Sequence, residues 1–448
     1  MPNNLNEMRQ LVPQGDILLE TWSKELGAID KALGGLDYNK KITTATMLEN
    51  AQKQINNFSK LNEATQAADV SYFKKYAINL LSAVVPNLIA PEIVSVQPMG
   101  ARVGEARYLQ ISYGSNKGKF KKGDKMFSTF EAGNEGTSYS SDLIEEELNE
   151  NVSTELHLAW TPIVPGTLSL IGEGVNITDN GKGVLVGGTA GTIDYNSGKV
   201  TFDSAINKDL SATYEYDNMT TPVQAPEVNL AIKSLPLIAK SRKLKALYSL
   251  DSAFDLQNQF GMQMNNELVS YTAAEIKHEI DGEIMNDLLK VAGAQGTTFN
   301  STPGDGISLR DHNEAFYNTV IEGGNNIFKA TRLANASFIV AGVGACNIIE
   351  SLPRFKPSGV INPVGPHLAG YLGDKAVYKD PFYPENSYVI GYKGQGLFDA
   401  GYIYAPYMPI MSTQLIMDAS FQGQKGFATS YAKKTTNSNM YSKGSITK

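Results

Sequence analysis

The rhythm of hydrophobic and polar positions divides the chain into stretches of different texture. From residue 1 to about 100, apolar residues recur at weak helical spacing in "TWSKELGAIDKAL" and "TMLENAQKQINNFSKL", joined by polar linkers. With few apolar positions to pack on, this stretch is expected to be an arm and not a compact domain. It ends in "VVPNLIAPEIVSVQPM" (Val84 to Met99), where Pro86 and Pro91 forbid a continuous helix and branched residues favour extended backbone. Such a segment is expected to lie across another surface.

Period-two alternation follows. "ARYLQISY" (Ala106 to Tyr113) predicts a strand, and "EVNLAIKSL" (Glu227 to Leu235) sets Val228, Leu230 and Ile232 on one face, as in a half-buried strand. The two limbs are expected to pair. After the first comes "GSNKGKFKKGDKMF" (Gly114 to Phe127), with five lysines and three glycines, which predicts a long projecting loop. From about Trp160 to Asp217 the pattern is that of a small all-β insertion. Asn196-Ser197-Gly198 is turn chemistry between two short strands, and Leu210, Ala212, Tyr214 and Tyr216 alternate on one face.

Helical spacing resumes at Asp251 and runs to about Ala292, interrupted near Gly261. Met264, Leu268, Ile276, Ile280, Ile284 and Leu288 stand four or eight apart and form one stripe of a helix roughly 45 Å long. Glu275, Glu279, Asp281, Glu283 and Asp287 are assigned to its other face. Beyond Asn300, "LRDHNEAFYNTVIEG" and "GACNIIESL" read as helices. "ASFIVAG", "KAVYKD", "SYVIGYKG" and "AGYIYAPYMPI" read as strands of a central sheet.

Composition bounds what these elements do. The chain has 448 residues with 42% hydrophobic content, enough for a large core, and its 41 glycines and 22 tyrosines fit a strand- and turn-rich protein. A net charge of −7 argues against a surface built wholly for nucleic acid. The single cysteine, Cys346, sits in an apolar run and excludes an internal disulfide. "MPNNLNEMRQ" has no signal-peptide pattern, and polar residues and prolines break the longest apolar zone, Ala77 to Val96. These features predict a soluble protein made in the cytoplasm, with no membrane contact.

Candidate chemistry is sparse. His278-Glu279 lacks the second histidine of a zinc helix, because Gly282 stands one turn on. "DNGKG" (Asp179 to Gly183) lacks the spaced ligands of a calcium loop and reads as a turn. Lys393-Gly394-Gln395-Gly396 lacks the following helix whose N-terminus would hold a phosphate. Glu279 and Glu283 are an acid pair at helical spacing that reads as a solvated or interfacial face. No metal, cofactor or catalytic residue is expected.

Four ordered blocks carry a family resemblance. "YKGQGLFDAGYIYAPYMPI" (Tyr392 to Ile410) closely resembles a C-terminal block of major capsid proteins from large contractile-tailed, myovirus-type bacteriophages. "VVPNLIAPEIVSVQPM", "KSRKLKALYSLDSAFDLQNQFG" (Lys240 to Gly261) and "ANASFIVAG" extend the likeness over most of residues 80 to 432. It implies an α+β, HK97-like phage capsid fold. The parts would be an N-terminal arm (1–100), extended-loop limbs (101–159 and 218–240), an inserted β domain (160–217), a peripheral domain with a spine helix (241–299), and an axial domain with C-terminal peripheral strands (300–448).

The function it implies is self-assembly, as hexamers and pentamers, into an icosahedral head shell that encloses double-stranded DNA without sequence-specific binding. The chain would reside in the virion after assembly in the host bacterial cytoplasm. Vertex, portal, scaffold, prohead protease and decoration proteins are the partners implied. Family members often lose an N-terminal segment to a phage protease that cuts after Leu-x-Glu, which places a candidate cut between Glu63 and Ala64; Leu18-Leu19-Glu20 and Leu143-Ile144-Glu145 match as well. In the family, the loop of one subunit lies over the peripheral domain of the next. Lys117, Lys119, Lys121, Lys122 and Lys125 on the loop are therefore expected to meet Glu275, Glu279 and Glu283 of a neighbour. A tail or sheath protein would lack the long helix, and a β-rich glycan-processing enzyme using Trp160 and the tyrosines would need an acid pair that is not recognisable here.

Overall fold

The computed structural model describes residues 14–33, 37–61, 88–124, 139–148, 154–172, 174–206, 208–219, 225–261, 264–331, 334–359, 365–394, 401–413, 416–417 and 422–447. Two compact units result, one of Met1–Tyr108 with Lys233–Lys448 and one of Leu109–Ile232. The division falls inside two long strands, Val103–Tyr113 and Val228–Ile238, which pair as a two-stranded ribbon. Ala239 N–H donates to the Arg102 carbonyl at 2.9 Å, and Gly114 N–H donates to the Glu227 carbonyl at 2.7 Å. The limbs thus pair as expected, but their apolar face is not half-buried. Val228, Leu230 and Ile232 are 50%, 67% and 54% exposed, since a two-stranded ribbon brings no second layer of its own.

The unit Leu109–Ile232 holds an eight-stranded sheet. Its order is Leu143–Leu148, Leu210–Glu215, Ser169–Gly172, Val175–Asp179, Val184–Gly187, Gly191–Asp194, Lys199–Phe202 and Glu155–His157, antiparallel throughout. The middle strands follow one another in sequence, so tight turns set the register. At the Tyr195–Gly198 turn, Gly198 has φ 68°, and the Asp194 carboxylate accepts from the Ser197 hydroxyl at 2.6 Å. Alternate residues point inward; Leu210, Ala212, Tyr214 and Tyr216 join Trp160, Leu170, Ile177 and Val200 in one core. The sheet begins at Leu143, ahead of the boundary expected near residue 160, because the "LIEEEL" strand pairs along the whole of Leu210–Glu215.

The other unit is built on two sheets. A five-stranded sheet runs Ser95–Val96, Tyr402–Ser412, Gln422–Thr435, Lys240–Ser249, with Ile416–Met417 also on Gln422–Thr435. A seven-stranded sheet runs Ala294–Asn300, Tyr441–Thr447, Ser387–Gly391, Phe338–Ala341, Lys375–Lys379, His367–Leu372, Phe355–Pro357. Strand Phe338–Ala341 is buried on both faces. Phe338 and Val340 belong to the core that holds the long helix, whereas Ile339 and Ala341 belong to the core of helices Leu309–Thr331 and Val343–Ser351. Cys346 is buried in the second core. The fold is α+β.

The long helix, Met264–Val291, follows helix Leu250–Phe260, which Ser249 caps by accepting from Ser252 N–H at 3.2 Å and which ends at Gly261 with φ 66°. Ile276, Ile280, Ile284 and Leu288 are buried, one turn apart, each contributing about 1.5–3 kcal/mol. Segment 88–94 threads into the same core, with Leu88, Ile89, Ala90, Ile93 and Val94 all buried. The N-terminal helices Gly15–Thr21, Ser23–Leu33 and Tyr38–Leu61 enclose a small core of their own around Trp22, Leu26, Ala45, Met47 and Leu48. Asn50 Nδ2 donates to the Met99 and Tyr407 carbonyls, both at 2.8 Å. The described part of the arm is therefore packed and tied to its unit, contrary to the expectation that it had little to pack against.

Candidate functional site: the loop base and the long helix

The lysine-rich loop divides into an anchored base and an outer part. Lys117 N–H and Phe120 N–H each donate to the other residue's carbonyl at 2.9 Å, closing a tight turn through Gly118 at φ 54°. Tyr113, Phe120 and Tyr139 stack as a trio, with ring centroids 4.5 to 5.4 Å apart. The Tyr139 hydroxyl donates to the Glu227 carbonyl at 2.7 Å, which joins this turn to the returning limb.

Lys117 does not project. It is 3% exposed, and its Nζ donates to the Tyr139 carbonyl at 2.9 Å and to that of Ser141. The ammonium lies 5.4 Å from the Trp160 ring centroid and 5.0 Å from that of Tyr216. Burial pushes its pKa down, and the Asp142 charge partly restores it. Lys121 and Lys122 are exposed and Lys119 is half-buried. Lys125 lies outside the described residues.

On the long helix, Glu275 and Glu279 are exposed. Glu283 is not on that solvated face. Its carboxylate accepts from Arg242, the Tyr431 hydroxyl and Lys433, the last at 2.7 Å. Burial alone would push its pKa up, but the bonds from Lys433 and Tyr431 and the charges of Lys433 and Arg242 hold it below the ordinary value. Asp287 accepts from the Tyr402 hydroxyl at 2.8 Å and also pairs with Lys433. Asp281 is 1% exposed and accepts from Ile89 and Ala90 N–H at 3.1 and 3.3 Å. Three of the five acids assigned to the outer face thus meet cations or backbone amides of their own unit. Half-buried cations and helix-start amides supply a reason for acids on an inward face.

The other candidates have structural explanations. Lys393 Nζ donates to the Pro91 carbonyl, and burial pushes its pKa down to about 8; Gln395 and Gly396 lie outside the described residues. The Asp179 carboxylate accepts from Gly166 and Gly181 N–H and from the Tyr195 hydroxyl, which makes "DNGKG" a turn. Trp160, the candidate sugar platform, is 2% exposed inside a core. Among the described residues no group of three His, Cys, Asp or Glu side chains is placed to hold a metal ion, and no helix is long and apolar enough to cross a membrane. Glu63 and Ala64 lie outside the described residues. Leu18–Glu20 sits in a helix and Leu143–Glu145 in a paired strand. The residues that sequence reasoning missed are Arg242 and Lys433, whose partners lie far away along the chain.

Comparison with known proteins supplies an independent line. The family model "Major capsid protein Gp23" matches residues 70–448. The major capsid protein of Vibrio phage KVP40 is 27% identical over 399 residues, covering 79% of this chain and 74% of that protein. That of Enterobacteria phage T6 is 25% identical over 397 residues, covering 79% and 76%. Among solved structures, the capsid of Myoviridae phage XM1 aligns over 66% of this chain and 88% of that one, at 9% identity and a TM-score of 0.34.

Proposed function

The chain belongs to the Gp23 family of major capsid proteins of tailed phages, and from that premise we propose that its copies tile the icosahedral head shell around double-stranded DNA. Closed shells need heterologous contacts, in which one surface of a subunit meets a different surface of the next. The two surfaces are the outer loop and the exposed face at the middle of the long helix. The observation that supports this pairing is the separation of charges into bound and free. Lys117 and Glu283 are held within the chain, whereas Lys121 and Lys122 on the loop and Glu275 and Glu279 on the helix are exposed. Among the described residues none of these four forms an ion pair.

In this reading Lys121 and Lys122, with Lys119 beside them and Lys125 beyond, meet Glu275 and Glu279 of the neighbouring subunit. Each exposed pair contributes about 0.2–1 kcal/mol, and repetition around the shell multiplies it. Changing Lys121 and Lys122 to Glu leaves the melting of the free subunit unchanged and slows or blocks assembly. Adding Glu275→Lys and Glu279→Lys restores shells. Normal assembly of the lysine reversal at low salt overturns the contact.

The role is structural, without a catalytic step. The chain resides in the virion, assembles in the host bacterial cytoplasm, and meets vertex, portal, scaffold, protease and decoration proteins as assembly proceeds. Cleavage after Glu63 fits the family's habit. Mass spectrometry of shell protein from virions tests it, with a mature N-terminus at Ala64 as the expected result and an intact Met1 terminus as the contrary one.

A further inference from the structure

We infer that the inserted β domain is the mount of the projecting loop, and that Lys117 is the positioning residue that docks the loop's base into it. The inference deepens the reading of the loop as a contact arm and rests on it. Lys117 belongs to the outgoing side of the loop. Its ammonium is held by carbonyls of Tyr139 and Ser141, on the returning side, and by the rings of Trp160 and Tyr216, inside the β domain. One side chain therefore gathers three segments that are remote in sequence.

Two further ties are independent of that ammonium. Trp160 Nε1 donates to the Asn116 carbonyl at 3.0 Å. A Cβ added to Gly118 would stand 2.4 Å from the Glu145 carbonyl oxygen, on the edge strand of the sheet. The turn is pressed against that strand so closely that no side chain fits between them. Trp160 and Tyr216 also stack on each other, 5.2 Å between centroids, so the pocket is a fixed part of the domain's core. A methionine would fill the same volume but could donate to neither the Tyr139 nor the Ser141 carbonyl. A lysine satisfies both and adds attraction to the ring faces. Lys119, Lys121 and Lys122 follow within a few residues, so the anchor fixes where they are presented.

The test is amine labelling with an N-hydroxysuccinimide ester, read residue by residue on the purified full chain, together with amide exchange. Lys117 is expected to label at least tenfold more slowly than Lys121 and Lys122. In Tyr216→Leu and, separately, Gly118→Ala, Lys117 is expected to label at the rate of Lys121, with Phe120 and Gly123 amides exchanging at least tenfold faster. Wild-type Lys117 labelling as fast as Lys121 overturns the mount, and so does unchanged protection in Gly118→Ala. If Tyr216→Leu does not fold, those two results still decide. Failure of the contact reading looks different: Lys117 is protected and the variants release it, yet the charge reversal at Lys121 and Lys122 assembles normally.

Discussion

Replacing Asp281 by Asn should make stability less sensitive to pH, so that the balance shifts toward the variant as pH rises. Asp281 sits on the long helix at 1% exposure; one oxygen accepts from Ile89 and Ala90, and its Oδ2 has no hydrogen-bond donor. Burial pushes its pKa up to about 7 and Asp380 pushes the same way, against the two amide bonds and the Lys277 charge. The unfolded chain titrates near the ordinary 3.8. The folded state therefore binds the proton more tightly, and stability from this group is full below the unfolded value and lost as pH rises to about 7. The rise from 3.8 to about 7 corresponds to at most about 4 kcal/mol. Between pH 5 and pH 8 the loss is about 2–3 kcal/mol. An Asn keeps the acceptor for Ile89 and Ala90 but does not titrate. Its buried NH2 carries a cost of its own, which cancels when the variant-minus-wild-type difference at pH 5 is subtracted from that at pH 8. Guanidinium unfolding of the unassembled chain, followed by circular dichroism, measures both. A difference that moves toward the variant by about 2–3 kcal/mol supports the reasoning. A difference independent of pH, or moving the other way, refutes it.

Other perturbations probe neighbouring features. Ile284→Ala, at a fully buried position, should cost about 2–5 kcal/mol in the same unfolding experiment. Lys433→Met should destabilise by about 1–3 kcal/mol, because Glu283 and Asp287 lose a shared cation. Glu283 has a lowered pKa, so its contribution is present above the unfolded value and lost as pH falls; the loss caused by Lys433→Met should therefore shrink in acid. Cys346, whose thiol burial pushes up to about 12, should resist iodoacetamide in the folded protein and react on unfolding.

What the sequence revealed was local. The four-residue spacing of Ile276, Ile280, Ile284 and Leu288 placed the long helix and its buried stripe. The alternation of Leu210, Ala212, Tyr214 and Tyr216 placed a strand and its inward face. What it concealed was long-range. Alternation told that Val228, Leu230 and Ile232 share a face, but not that their own chain leaves this face exposed. Lys117 looked like one lysine of a solvated run because Tyr139, Trp160 and Tyr216, which enclose it, are scattered over the next hundred residues. Asp281, Glu283 and Asp287 looked like an outer face because helical spacing cannot tell that Lys433, Arg242 and the amides of Ile89 and Ala90 come to meet them. The ordered blocks, by contrast, carried the family across most of the chain.

The central claim is that this chain is the subunit of a closed shell. Electron microscopy of the purified full chain, paired with sedimentation over a range of concentrations and with co-expressed phage assembly factors, tests it most directly. Closed shells, tubes or ring-shaped capsomers that grow with concentration are predicted. A chain that stays strictly monomeric under every one of these conditions would contradict the account.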